Sequence, residues 1–190
     1  MKLLVKLLVL TGLSGLTGAA IVGHRGADLG SVRGTGPAEA SAQVNDIADM
    51  LTQAGIKRSA PVEIAEADLN RFLAATLSGR QAGRTRRLID FEKAVVNLEP
   101  GDANVILCWN LEGHQTTTSL HLRVTQEKGE HRFEVTHGAY GRMPVARGFM
   151  AAVMPAYTAL MAAMNPEIRQ VLGMTKIHFA KDKLVLDPRF

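Results

Sequence analysis

The chain opens on two lysines, Lys2 and Lys6, set among leucine and valine, and then runs without a charge from Leu7 to Gly23. A basic start followed by an apolar stretch approaching the roughly 20 residues that bridge a bilayer core predicts a helix over 1–23 acting as a signal peptide or a membrane anchor. Gly18 and Ala20 would give small side chains at minus three and minus one of a cut after Ala20, as a signal peptidase requires. The length of the uncharged run favours an anchor instead. Residues 24–37 have frequent glycine and no apolar period, the pattern of a flexible linker.

Beyond the linker, residues 38–190 read as a single α+β domain. Val44, Ile47, Met50, Leu51 and Ala54 recur at helical spacing, with Gly55 where a C-cap would fall. Val62 to Ile64 reads as a brief strand running into a helix with Leu69, Phe72, Leu73 and Leu77 on one side. The pattern then changes to period two. Ala103, Val105, Leu107, Trp109 and Leu111 form one apolar row, Leu120, Leu122 and Val124 a second, Phe133 and Val135 a third, and Ala94, Val96 and Leu98 a shorter fourth. Turn-like separators, Glu99-Pro100-Gly101-Asp102, Glu112-Gly113-His114 and Glu127-Lys128-Gly129-Glu130, make these strands antiparallel neighbours.

One face of such a sheet is apolar and needs a cover. The stretch from Val145 to Met164 is almost wholly apolar and predicts a long helix begun by Pro144 and kinked at Pro155. Gly173 to Phe179 and Lys183 to Asp187 predict a closing hairpin. The expected architecture is a curved antiparallel sheet of about five to six strands packed on a long apolar helix, preceded by the N-terminal membrane-spanning or signal helix.

The formal net charge is +4, of which Lys2 and Lys6 supply two, so nucleic-acid binding is not implied. The only cysteine, Cys108, excludes an intrachain disulfide and reads as a small buried residue of a strand. Enzymatic chemistry has no visible nucleophile and no cofactor motif. His114, His121, His131 and His137 lie on or near strands without metal-ligand spacing, His131 and His137 sharing a face by parity. Glu63, Glu66 and Asp68 cluster at a helix start, where carboxylates favour the helix dipole.

Two features suit apolar or lipid ligands. Met150, Met154, Met161 and Met164, with Tyr157 among them, fall close to one helical stripe, and with Met143 and Trp109 they would line a groove for a long apolar ligand. Such a stripe more often serves as plain core. Arg80, Arg84, Arg86 and Arg87 fall in one short stretch and would grip phosphate headgroups, or would simply keep a loop solvated.

The order of features, an N-terminal anchor, Val62-Glu63-Ile64-Ala65-Glu66-Ala67-Asp68-Leu69-Asn70, a meander, Gly141-Arg142-Met143-Pro144 opening an apolar helix, and a terminal hairpin, resembles small bacterial envelope proteins related to tubular lipid-binding (TULIP-like) domains. The resemblance covers Pro61 to Pro188 and implies a curved sheet round a long helix with a lipid-sized groove between them. Pro155 departs from that pattern. The expected function is a non-catalytic envelope protein that binds or passes a lipid or other long apolar molecule. The alternative is a membrane-anchored interaction or structural module with a dry core and an envelope protein as partner. Positive-inside logic puts the body outside the cytoplasm, either held at the inner membrane or periplasmic or secreted after cleavage.

Overall fold

The computed structural model describes residues 2–35, 44–57, 60–80, 89–127 and 130–189. The period-two rows form a five-stranded antiparallel sheet in the order β2-β3-β4-β5-β6. Its strands are β2 (Ile89–Glu99), β3 (Asp102–Leu111), β4 (His114–Glu127), β5 (Glu130–Tyr140) and the short β6 (Met143–Val145). The register aligns Val96 with Val105, Val105 with Leu120, and Leu107 with Thr118, which stacks the apolar rows on one face. A second sheet of order β1-β8-β7 joins β1 (Val62–Ala65) to the expected hairpin, β7 (Lys176–Ala180) and β8 (Lys183–Asp187). The fold class is α+β, with the strands divided between two sheets.

The two sheets meet at their turns. The Gly101 N–H donates to the Phe179 carbonyl at 2.8 Å, and the Asp182 N–H to the Leu98 carbonyl at 3.1 Å. The helices α2 (Val44–Lys57) and α3 (Glu66–Arg80) complete the cover of the apolar face. Ile47 and Leu51 of α2, Phe72 and Leu77 of α3, and Phe179 and Leu186 of the hairpin join Leu98, Leu107 and Leu120 of the large sheet in one buried cluster. Burial of this set is the main stabilising contribution, about 2 kcal/mol for each large side chain.

The long helix expected over Val145–Met164 is replaced by two short pieces, a 3-10 turn (Arg147–Ala152) and α4 (Met154–Ala163), and a further helix, α5 (Asn165–Leu172), follows. Prolines explain the breaks. Pro155 and Pro166 each stand in the first turn of their helix, where a missing N–H costs nothing, so each begins a helix rather than kinking one. Pro144 also takes a different place from the one expected. It pairs with Ala139 in β6, a sheet edge where a residue without an N–H is tolerated.

The N-terminal run forms α1 (Lys2–His24). Among the described residues no helix is long and apolar enough to cross a membrane, and the expected span is accordingly not met. Gly12, Ser14, Gly15, Thr17 and Gly18 dilute the leucines along α1.

The stretch expected to be a flexible linker is instead laid across the second face of the large sheet as far as it is described. The Ala27 N–H donates to Thr117 Oγ1 at 2.7 Å, and Leu29 and Val32 pack on Val95, Ile106 and Cys108. At the far end the Arg33 N–H donates to Glu66 Oε1 at 2.8 Å, and the Arg33 guanidinium lies 3.0 Å from Asp182. This strap carries two apolar side chains, enough to cover the one apolar residue that each of β2 and β3 presents beside Cys108.

Candidate functional site

The residues expected to line an apolar groove are divided by the fold. Met150, Tyr157 and Met164 are buried in the main cluster. Met154 and Met161 face outward from α4 at 37% and 48% exposure. Trp109 is half-buried and packs edge-on against Phe91 with ring centroids 5.4 Å apart. Met143 is half-buried in β6 beside Gly23 at the root of α1. The stripe is split because Pro155 resets the helical phase, so Met150 sits on the 3-10 turn, Met154 and Met161 on α4, and Met164 at the junction of α4 and α5.

Where α4 meets the sheet, polar atoms are paired rather than left open. The Tyr157 hydroxyl lies 3.3 Å from both the Val105 carbonyl and Thr118 Oγ1, and the Trp109 indole N–H donates to the same Thr118 oxygen at 3.3 Å. Burial pushes the Tyr157 phenol well above its usual range, with the Thr118 hydrogen bond pulling the other way. Met150 fills the space over Gly138, where an added Cβ would come within 2.7 Å of its sulfur and 2.8 Å of the Ser119 carbonyl.

Arg80 ends α3. Arg84, Arg86 and Arg87, the rest of the expected headgroup set, lie outside the described residues.

Two histidines come together that parity had separated. The register shifts between His121 and Leu122, leaving Thr136 as an extra residue in β5. His137 therefore pairs with His121 and stacks on it, ring centroids 3.9 Å apart and planes 16° from parallel. His121 Nδ1 is 2.6 Å from Asp102 Oδ2, and the Thr136 hydroxyl donates to the His121 carbonyl at 3.2 Å. Parallel rings send their nitrogen lone pairs in parallel, so the pair does not converge on one ion. Among the described residues no group of three His, Cys, Asp or Glu side chains is placed to hold a metal. His131, expected on the same face as His137, instead reaches the Thr175 carbonyl at 3.0 Å.

Sequence reasoning missed the polar clamp on the β2 edge. Glu66 and Asn70, one helical turn apart on α3, are both buried. Glu66 Oε2 accepts from the Leu98 N–H at 2.6 Å while Oε1 takes the strap. Asn70 accepts from the Val96 N–H at 2.6 Å and donates to the Val96 and Arg33 carbonyls at 2.9 and 2.7 Å. The two side chains stand in for a missing neighbour strand and close the edge against outside pairing. The available signal was the i,i+4 spacing of two hydrogen-bonding residues on an otherwise apolar helix face.

No protein-family model matches the chain, and comparisons with curated proteins and with solved structures return no match.

Proposed function

We propose that the chain is a non-catalytic envelope protein, held at a membrane by α1, whose body is a filled module that works by surface contact. The observation that carries this reading is the continuous buried cluster joining α2, α3, the 3-10 turn, α4 and the hairpin to the large sheet. Met150, Tyr157 and Met164 spend their apolar surface inside that cluster. The membrane half of the proposal draws on α1, whose Leu7, Leu8, Leu10 and Leu13 stand between 59% and 69% exposed. Leucines left in water on one helix are an apolar surface that needs a cover.

The competing reading, a long apolar ligand held against the body, draws on Met154 and Met161, the two methionines of the stripe that remain exposed. Native mass spectrometry separates the two. The full chain with Leu7, Leu8, Leu10 and Leu13 replaced by serine removes lipid contact through α1 while leaving the body untouched. The expected spectrum is the bare chain mass. A stoichiometric lipid adduct on that variant would instead support the container.

A further inference from the structure

From Gly148 to Pro166 the chain carries no charged side chain. Tyr157 fixes which side of α4 faces the core, so Met154, Pro155, Thr158, Ala159, Met161 and Ala162 are left exposed. A helix face turned to water ordinarily carries charged and strongly polar residues. This one has Met154 and Met161 two turns apart, with small residues between them. Unbranched thioethers and alanines make an adaptable surface without a deep pocket. Along the chain the face is preceded by Arg142 and Arg147 and followed by Glu167 and Arg169, with Arg142 and Arg169 exposed.

The same edge of the body roots α1. The Arg142 N–H donates to the Val22 carbonyl at 3.3 Å, and Gly23 lies beside Met143 of β6, the strand that leads into the 3-10 turn. An uncharged apolar face with arginines along the chain on both sides, preceded by a strand that packs on the root of a leucine-rich helix, matches an anionic bilayer surface, where apolar side chains enter the acyl boundary and cations meet phosphate.

We infer that the outer face of the 3-10 turn and α4 is a second membrane-contact surface, lying on the bilayer that receives α1, with Arg142 and Arg169 at the headgroups. This inference rests on the membrane reading of α1 and adds an orientation to it: the body lies on the lipid through α4 rather than standing off on a stalk.

The test uses the full chain in a Cys108→Ala background, with an environment-sensitive fluorophore on a single cysteine introduced by Leu10→Cys, Thr158→Cys or Gln126→Cys. Each protein is mixed with vesicles of brominated phosphatidylcholine and phosphatidylglycerol. The expected result is a blue shift and strong quenching at both position 10 and position 158, with no change at position 126 on β4. Quenching at position 158 without quenching at position 10 overturns the inference as stated, since the face would then meet lipid that does not receive α1. Quenching at position 10 alone, with position 158 behaving like 126, overturns the inference and leaves the α1 reading standing. Quenching at neither overturns both. Concentration-dependent self-association that shields position 158 without lipid quenching assigns the face to a second copy of the chain and also overturns it.

Discussion

Replacing Glu66 with alanine is expected to remove on the order of 3 kcal/mol of folding stability, because two backbone N–H groups, the buried one of Leu98 and the part-buried one of Arg33, lose their acceptor at once. Each orphaned donor costs about 1–3 kcal/mol, against a total of about 5–15 kcal/mol for a domain. Asn70→Leu should cost a similar amount, since it strands the Val96 N–H and the Val96 and Arg33 carbonyls. Glu63 supplies the contrast. Its carboxylate pairs with Lys183 at 2.8 Å in solvent, and Glu63→Ala should change stability by less than about 1 kcal/mol. Urea unfolding followed by circular dichroism reads all three. Equal small losses for Glu66→Ala and Glu63→Ala would show that the clamp does not hold β2.

The second large effect is expected at Gly141, where the strap joins the sheet. Its φ of +55° lies in the left-handed region, and a Cβ there would sit 2.3 Å from the Gly23 and Arg25 carbonyl oxygens. Both neighbours are backbone, so relief requires the root of α1 to move. Gly141→Ala should cost about 2–4 kcal/mol, combining backbone strain with the clash. It should also loosen the strap over Cys108. That thiol is buried beside Val32, and its pKa is pushed up to about 11 by burial, with Lys93 opposing and Glu92 adding to the rise. Only the thiolate is alkylated, so the wild-type protein should resist a maleimide at pH 8 and react faster as pH climbs toward 11. In Gly141→Ala the opened site returns toward the ordinary thiol range near pH 8.5, and labelling at pH 8 should rise at least about tenfold. Unchanged labelling would mean that the strap does not govern access to Cys108.

The strands were legible because each alternates strictly enough to fix a face: Ala103, Val105, Leu107 and Trp109 all face the helices as their spacing requires. The strap was not, since Gly26 to Thr35 has no period and its two useful side chains, Leu29 and Val32, match single residues on the face expected to be wet. Parity failed for His131 and His137 because Thr136 adds one residue between them, and a bulge leaves no mark in the alternation of a polar row. Pro155 defines the start of α4 rather than a kink inside a longer helix, because the apolar run on both sides of it gives no sign of where a helix begins. The acidic cluster at the start of α3 was assigned to the helix dipole, whereas Glu66 turns inward to serve backbone donors from two other segments.

The resemblance to tubular lipid-binding domains implied one long helix against the sheet. A 3-10 turn and α4 occupy that place, and Met150 and Tyr157 are used up in joining them to the sheet. The leucine-rich α1 and the uncharged face of α4 lie outside that core, and the proposed function by contact rests on these two surfaces.

Vesicle flotation of the full chain tests that account most directly. With phosphatidylcholine–phosphatidylglycerol vesicles the wild-type protein should rise with the lipid, and the variant with Leu7, Leu8, Leu10 and Leu13 replaced by serine should rise far less while keeping the wild-type circular dichroism spectrum and unfolding midpoint. A wild-type protein that stays with the soluble fraction, or a serine variant that floats as well as the wild type, would contradict it.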